Sequence, residues 1–369
     1  MPDPRFVKYF DWWLLGLTFL IAGLGLLILY SAVTVGAHAS PQKILVLKQL
    51  LWYCAGAMIM LVSFFFDYKA LGRWAFVIYL ICIVLLVCVL FFGKYVGGSR
   101  RWLGLGPVSI QPSEMVKLAV IIMLARYYSK LVTTKGFTLR ELIKPFIIVG
   151  IPFFLIVKQP DLGTGMVVLL IAGTMTLFVK IERRSLIYML IVCMLAVPTM
   201  WFVGLKAYQK QRVLTFLNPD RDPLGTGYHI IQSKIAIGSG AAVGRGFRQG
   251  NQNTLSFLPE QHTDFIFSVL AEESGFVGSV CVLLTFLMLI ISGLNIAHGC
   301  RDPFGTVLSV GVTAMIFWQV FINIGMVMGL MPVVGVPLPF ISYGGSSVIT
   351  MMICISILMN VSMRRFIIE

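Results

Sequence analysis

Ten long apolar stretches alternate with short polar segments along the chain. A membrane-spanning helix needs about 20 apolar residues, and most of these stretches approach or exceed that length. The pattern therefore predicts an all-α polytopic membrane protein with about ten transmembrane helices. The stretches are 12–33, 47–66, 74–93, 113–132, 143–157, 164–180, 186–204, 264–296, 304–331 and 347–363.

The segments between the stretches suggest one membrane domain covering residues 1–369, with one large outer loop at residues 205–263, between helices 7 and 8. Stretches five and six are separated only by residues 158–162, a turn that contains Pro160. Leu-Gly-Thr-Gly occurs at 162–165 and again at 224–227, but the flanking residues differ, so the inverted repeat of many transporters is not supported. Ala37-His38-Ala39 resembles a signal-peptidase site, yet the preceding stretch is too long for a signal peptide, and we expect a retained first span.

Composition and charge narrow the class of protein further. Hydrophobic residues make up 58% of the chain and charged residues only 12%, which excludes a soluble globular or a disordered protein. The net charge of +14 comes from residues scattered over short loops, which argues against nucleic acid as a partner. Predicted inner segments carry fifteen Lys and Arg residues and short outer segments six, so both termini are expected in the cytoplasm.

Cysteine usage points to packing. The chain has seven cysteines, no CxxC spacing and no accompanying histidine cluster, which argues against a disulfide framework or a zinc site. All but Cys300 lie within apolar stretches, where they are expected as small buried hydrophobes.

Charged residues at the predicted outer ends of spans are candidates for function, because burying a charge in a membrane is costly. Glu114 and Lys117 lie three residues apart on one face of the fourth span. One interpretation is a buried ion pair that orients two helices; another is that Lys117 faces an anionic ligand while Glu114 holds it. Ser113, after Pro112, also resembles an N-cap, beside which Glu114 would be favourable.

Asp161 and two adjacent glutamates also carry charge into the predicted membrane region. Asp161 precedes the sixth span, where it either caps the helix or belongs to a site. Glu272 and Glu273 are neighbours in the eighth span and must point to different helix faces. At least one of them is expected to have a structural partner within the bundle.

Asp264 opens the apolar run of the eighth span at its outer end. It can cap the helix, but a half-buried carboxylate also suits a general base. His262, two residues earlier, cannot share a helix face with it. No arrangement typical of covalent catalysis is visible.

The large outer loop combines glycines with basic residues. Backbone that approaches a ligand closely, together with cations, suits a phosphate or pyrophosphate group. Its segment Tyr228-His-Ile-Ile-Gln-Ser-Lys-Ile-Ala-Ile237 is amphipathic and predicts an interfacial helix. These features favour an anionic, lipid-linked ligand in the outer leaflet. The residues are Gly225, Gly227, Gly238, Gly240, Gly244, Gly246, Gly250, Lys210, Arg212, Lys234, Arg245 and Arg248.

Several long motifs resemble the SEDS family (shape, elongation, division, sporulation). They cover nearly the whole chain from Lys48-Gln49 onward. Lys234, directly after Gln232-Ser233, is more typical of the elongation members than of the division members. The motifs are Gln111-Pro-Ser-Glu114, Lys158-Gln-Pro-Asp-Leu-Gly163, Asp222-Pro-Leu-Gly-Thr-Gly-Tyr-His-Ile-Ile-Gln-Ser-Lys-Ile-Ala-Ile-Gly-Ser-Gly240, Phe257-Leu-Pro-Glu-Gln-His-Thr-Asp-Phe-Ile-Phe267 and Val336-Pro-Leu-Pro-Phe-Ile-Ser-Tyr-Gly-Gly345.

The resemblance implies a fold of ten transmembrane helices and a peptidoglycan glycosyltransferase of the inner membrane. Such enzymes polymerise lipid II outside the cytoplasmic membrane, with a class B penicillin-binding protein as partner. The family's essential aspartate falls on Asp264, the expected general base. Functional positions of its central cavity match Lys48, Trp102, Glu114, Lys117 and Asp161.

A glycosyltransferase of this kind needs one base and several cations, which agrees with the Asp264 carboxylate among the outer basic residues. The leaving group is undecaprenyl pyrophosphate, which needs charge stabilisation more than protonation, and Lys117 with the outer basic residues is the candidate to supply it. A divalent cation such as magnesium is a further expectation, although no ligand cluster can be read from the sequence. Two alternatives stay open: a lipid II flippase, which would need access from both leaflets, and a non-catalytic scaffold that leaves Asp264 only a capping role.

Overall fold

The computed structural model describes residues 10–34, 39–96, 99–105, 108–131, 136–204, 207–218, 225–250 and 262–365. Ten of its α-helices coincide with the ten predicted stretches, so the all-α membrane fold is confirmed. They are α1 (Trp12–Thr34), α2 (Ala39–Ser63), α3 (Tyr68–Phe92), α4 (Pro112–Lys130), α5 (Leu139–Lys158), α6 (Leu162–Phe178), α7 (Arg183–Thr199), α10 (Ile266–Gly299), α11 (Pro303–Val327) and α12 (Gly345–Arg364).

Six of these helices are long and apolar enough to cross a membrane by themselves, namely α1, α2, α3, α10, α11 and α12. The others are shorter or carry more charge; α6 has 17 residues, and a π-helical turn, Met200–Gly204, extends α7. Two further helices follow α7, α8 (Ala207–Leu217) and α9 (Thr226–Ser239), and both belong to the predicted large outer loop. The predicted amphipathic segment is thus a helix, α9, and it packs against α10.

Helices α11 and α12 form the centre of the bundle and are buried along most of their length. Small residues let their neighbours approach: a Cβ on Gly56 of α2 would meet Met352 of α12, and one on Gly311 of α11 would meet Ile121 of α4. By contrast, α1, α2 and α3 expose many large apolar side chains. That exposure fits a surface in contact with lipid.

One end of the bundle, called here the site end, carries most of the candidate site residues. The helices α4, α6, α10 and α12 begin there, and α3 ends there. A small antiparallel sheet connects α3 to α4, in the order β1 (Lys94–Val96), β2 (Ser99–Leu105) and β3 (Val108–Ile110). From the charge pattern, this end is predicted to face outward.

Helix α10 is interrupted at Gly275, whose φ of 68° is left-handed and suits glycine. A segment after α9, residues 241–248 and called here the docked segment, satisfies the backbone groups at the break. The amides of Phe276 and Val277 donate to its carbonyls at 2.9 and 3.1 Å. Its own amides at Arg245 and Gly246 donate to α10 carbonyls, both at 3.0 Å.

Two of the capping interpretations that the sequence left open are wrong. Gln111, not Ser113, is the N-cap residue of α4, because Pro112 occupies the first helical position and moves the start back by two residues. Asp264 does not cap α10 either: residues 262–265 form a turn, and the helix begins at Ile266 with Phe265 as N-cap.

The cysteine prediction is partly wrong. Cys82, Cys300 and Cys354 are buried as free thiols, but Cys54 and Cys281 are exposed on the outside of the bundle. Their apolar neighbours face lipid rather than the core, and a thiol is tolerated in either environment. Cys193 lies among the side chains that are not described.

Candidate active site at one end of the bundle

The turn that carries Asp264 is fixed through three consecutive backbone carbonyls. The carbonyl of His262 accepts from the amide of Tyr343 at 2.9 Å, and that of Thr263 from the Ser342 hydroxyl at 2.6 Å. The carbonyl of Asp264 accepts from Nδ2 of Asn323 at 3.0 Å. Because side chains and backbone of the α11–α12 region supply all three donors, the Asp264 turn is positioned by distant parts of the sequence.

The α11–α12 connection shapes the floor beneath Asp264. Gly335 has a φ of 71°, and a Cβ there would lie 3.3 Å from Oδ2 of Asp264, so the carboxylate lies directly over this glycine. Asn323 also donates to the carbonyl of Val336 at 2.8 Å, so one amide fixes both the turn and its floor. Pro337 cannot donate a backbone hydrogen bond, so a side chain, that of Asn323, holds this part of the connection.

Asp264 itself is half-buried, which leaves part of its surface accessible at the site end. Nearby, the ring of Tyr343 lies 6.1 Å from that of His262. Burial raises the pKa of the Tyr343 phenol above its ordinary value, so this group stays neutral at physiological pH.

Glu114 and Lys117 form the predicted ion pair within the first turns of α4. Nζ of Lys117 lies 2.7 Å from Oε1 of Glu114, and both side chains are at least 97% buried. The second carboxylate oxygen of Glu114 and the hydroxyl of Ser113 have no hydrogen-bond partner among the described residues. Unsatisfied buried polar atoms are costly, and water or a polar ligand would relieve that cost.

Asp161 caps α6, as one of its two interpretations predicted. Its carboxylate accepts from the amide and the hydroxyl of Thr164 at 3.3 and 2.9 Å. It is also contacted by Nε2 of Gln111 at 3.4 Å and by Arg101 of β2 at 3.7 Å. Arg101 further donates to the carbonyl of Pro160. Asp161 therefore joins α6, the β-sheet and the start of α4.

Three other candidate residues reach this network through their neighbours. Lys48 is exposed on α2, and the adjacent Gln49 is fully buried, donating to the Ser342 carbonyl at 3.2 Å and accepting from the amide of Gly344 at 3.2 Å. Trp102 is half-buried in β2, beside Arg101, and pairs with Lys94.

Lys234 is exposed on α9, and its side chain fills the space next to Gly329, at the end of α11. The adjacent Ser233 lies 2.8 Å from Ser268, one turn after Asp264. Lys234 is thereby held close to the helix that Asp264 precedes. The described contacts do not join Lys48, Trp102 or Lys234 directly to Asp264.

The sequence interpretation missed three buried polar residues, Gln49, Asn323 and Ser342. Asn323 offered a signal, because an amide in the middle of an apolar stretch needs partners. Gln49 and Ser342 lie inside motifs that pointed to the family, but their roles depend on contacts across almost 300 residues. The predicted partners of Glu272 and Glu273 are also now assigned: Ser239 donates to Glu272 at 3.4 Å, and Ser31 donates to Glu273.

A magnesium site was expected without identified ligands. Within the described residues, no group of three or more His, Cys, Asp or Glu side chains is arranged to hold a metal ion. Magnesium often takes only one or two carboxylates and completes its shell with water and substrate phosphates. Asp264 has the donor atoms for that arrangement.

A family model described as "Cell cycle protein", which covers FtsW, RodA and SpoVE, matches residues 11–366. The chain belongs to this family, the SEDS family. The match covers all ten helices of the bundle, so the SEDS resemblance noted in the sequence is confirmed.

Individual SEDS proteins resemble the chain along its full length. It is 43% identical to the peptidoglycan glycosyltransferase MrdB of Escherichia coli K12, covering 98% of this chain and 97% of that protein. It is 33% identical to the peptidoglycan glycosyltransferase RodA of Treponema pallidum, covering 98% and 99%. The stage V sporulation protein E of Bacillus subtilis is 39% identical, covering 94% of this chain and 95% of that protein.

Solved SEDS structures share the fold. A chain from a peptidoglycan synthase complex, described for the coordination of polymerization and crosslinking, gives a TM-score of 0.81 at 32% identity, covering 97% of this chain and 99% of that one. The crystal structure of RodA from Thermus thermophilus gives a TM-score of 0.71 at 26% identity, covering 97% and 98%. The chain is thus a multi-pass membrane protein of SEDS architecture.

Proposed function

We propose that this protein is a peptidoglycan glycosyltransferase that polymerises lipid II into β-1,4 glycan strands during cell elongation. The observation that carries the proposal is the Asp264 turn: a half-buried carboxylate on a turn whose backbone carbonyls accept from Asn323, Ser342 and Tyr343. Full-length similarity to relatives named as peptidoglycan glycosyltransferases supports the same activity. The proposed location is the inner membrane, with both termini in the cytoplasm.

Asp264 is the proposed general base. The GlcNAc C4 hydroxyl of the acceptor attacks C1 of the donor sugar, and its proton passes to the Asp264 carboxylate as the new C–O bond forms. The bond from C1 to the pyrophosphate oxygen breaks, and undecaprenyl pyrophosphate leaves with that electron pair. Direct displacement inverts the donor carbon from α to β. A single base is sufficient, because the leaving group needs no protonation.

The exposed cations are the proposed pyrophosphate ligands. Lys48 and Lys234 are exposed at the site end and can approach an anion, whereas Lys117 is buried and already paired with Glu114. We therefore assign the pyrophosphate to Lys48 and Lys234. Glu114 and Lys117 are proposed to meet the sugars through the Glu114 oxygen that has no partner among the described residues, after lipid II has displaced the side chains that cover them.

Trp102 and Asp161 complete the proposed substrate site. The indole of Trp102 offers an apolar face to a sugar ring, and Asp161 with Arg101 holds β2 against the start of α6. Magnesium, if bound by Asp264 and the substrate, would neutralise pyrophosphate charge.

A class B penicillin-binding protein is the proposed partner, supplying the crosslinking transpeptidase. A peptidoglycan synthase complex that contains a chain of this fold supports the assignment. Helices α10 and α11 and the large loop are the proposed contact region. Helices α10 and α11 line an apolar groove that includes Phe286, Phe317 and Phe321, which suits a transmembrane helix of the partner.

Polymerisation of lipid II by the purified protein, with and without its partner, tests the proposal. Asp264→Asn should remove the glycan ladder while the protein stays folded. The matched control is Asp302→Asn at the opposite end of the bundle, where Asp302 caps α11 by accepting from the amide of Gly305 at 3.0 Å. Because asparagine also caps well, this control should keep its ladder.

Two results would contradict the proposal. An unchanged ladder from Asp264→Asn would remove Asp264 as the base and reopen the site. If the complex produced no ladder at all, the flippase alternative would be preferred, and transfer of lipid II across liposome membranes would be measured next.

A further inference from the structure

The break in α10 lies at a definite depth in the membrane. At about 1.5 Å per residue, the helix from Val277 to Ala297 is about 30 Å long, which equals the hydrocarbon thickness of a bilayer. Gly275 and the docked segment (residues 241–248) therefore lie where acyl chains give way to lipid headgroups, at the site end.

The docked segment presents both apolar and basic side chains at this depth. Val243 is 81% exposed and Phe276, next to it across the break, is 70% exposed. Arg245 and Arg248 are exposed as well, and neither forms an ion pair with any described residue. Arg245 donates Nε–H to the carbonyl of Ser239 at 3.3 Å. Two exposed cations at headgroup depth are suited to phosphate.

An apolar groove between α1 and α10 adjoins the docked segment. Its volume is about 530 Å³, and its walls include Leu24, Leu27 and Ile28 of α1 and Val282 of α10. Phe247 of the docked segment forms its upper rim, next to Arg248, whose guanidinium lies 5.7 Å from the ring of Tyr30. Glu273 is the charged residue in the lining, and its carboxylate accepts a hydrogen bond from Ser31.

We propose that this groove binds an anionic phospholipid, with one acyl chain between α1 and α10 and the phosphate between Arg245 and Arg248. The occupant is identified by two complementary features, an apolar groove and the two exposed arginines of the docked segment that adjoins it. Bound lipid would fix the docked segment, and with it the break in α10. This inference does not depend on the polymerase activity.

Cys281 gives a direct readout, because it lines the groove and is exposed. The full-length protein is reconstituted in nanodiscs of phosphatidylcholine alone or of phosphatidylcholine with phosphatidylglycerol. A lipid-soluble maleimide is added, and labelling is followed at each cysteine by peptide mass spectrometry. Cys54, exposed on α2 away from the groove, is the internal control. Phosphatidylglycerol should slow labelling of Cys281 roughly tenfold and leave Cys54 unchanged.

Two variants test the contributions of the arginines and of the groove separately. Arg245→Gln with Arg248→Gln should abolish the protection, whereas the same charge change at exposed Arg183 and Arg184, at the opposite end, should preserve it. Leu27→Trp fills the groove from α1 without altering the docked segment, and it should reduce phosphatidylglycerol retention in native mass spectrometry. Melting temperatures confirm that each variant is folded.

Three outcomes would overturn the proposal. Equal labelling of Cys281 in both membranes would mean that no anionic lipid occupies the groove. Loss of protection in the Arg183 and Arg184 variant to the same degree would mean non-specific attraction. Protection by lipid II in phosphatidylcholine nanodiscs, without protection by phosphatidylglycerol, would assign the groove to the substrate instead.

Discussion

Asn323 and Asp264 are joined by one hydrogen bond, in which Nδ2 of Asn323 donates to the backbone carbonyl of Asp264 at 3.0 Å. The same amide donates to the carbonyl of Val336 at 2.8 Å. A residue in the last turns of α11 thus positions the proposed base through its backbone carbonyl. Asn323 is a positioning residue, because it acts through the backbone.

Replacing Asn323 by leucine should slow polymerisation by about 10- to 100-fold, because small misplacements of a reacting group are costly. It should also lower the free energy of unfolding by about 1–3 kcal/mol for each buried carbonyl left without a donor. Glycan ladders and thermal unfolding in detergent measure the two effects.

The control for this variant is Asn360→Leu on α12. Asn360 has the same role at the other end of the bundle, donating to the carbonyls of Ser63 and Phe66 at 2.9 and 2.7 Å. The Asn360→Leu variant should lose a similar amount of stability but keep its polymerisation rate per folded molecule. Equal loss of rate in both variants would show that general destabilisation, rather than the position of Asp264, limits the reaction.

The buried ion pair of α4 should show strong non-additivity. Lys117→Met leaves the Glu114 carboxylate buried without its cation, which should cost about 3–5 kcal/mol of stability. Adding Glu114→Gln removes that charge and should restore most of the stability. Thermal unfolding of both single variants and the double variant measures the coupling.

Polymerisation by the stable double variant then distinguishes the two interpretations of the pair. We expect it to stay strongly reduced, since the proposed sugar contact of Glu114 is gone. Activity that returned together with stability would make the pair purely structural.

Two substitutions of Asp161 should distinguish its capping of α6 from its contact with Arg101. Asp161→Asn keeps an oxygen for the amide of Thr164 and should change stability little, whereas Asp161→Ala should cost about 0.5–2 kcal/mol. Both remove the negative charge beside Arg101, so both should reduce polymerisation. A fully active Asp161→Asn variant would assign Asp161 to capping alone.

Gly275→Ala should loosen the docked segment. Alanine disfavours this positive-φ, extended-ψ backbone by about 1–3 kcal/mol, and its methyl group would collide with the amide of Gly244. Hydrogen exchange of residues 241–248 should therefore become faster. Gly23→Ala in α1 is the control, because its methyl group meets no atom within 4 Å. Unchanged exchange in Gly275→Ala would show that the break does not hold the segment.

The sequence by itself determined the architecture. Ten long apolar stretches predict ten helices, because backbone groups in lipid must satisfy their hydrogen bonds within the segment. Spacing of three residues gave the Glu114–Lys117 pair as one interpretation, and the position of Asp161 before a helix gave the cap as one of two. Local geometry decides these features, so local sequence reveals them.

Only the tertiary structure decided how the site is assembled. The donors to the carbonyls of residues 262–264 come from positions 323, 342 and 343, and hydrophobic periodicity contains no information on such pairings. The capping interpretation of Asp264 failed for the same reason, because the contacts of its turn place the helix start at Ile266. The N-cap at Ser113 failed for a local reason, since Pro112 occupies the first helical position. The break at Gly275 was equally hidden, since its backbone is satisfied by a segment some thirty residues earlier in the chain, brought there by folding.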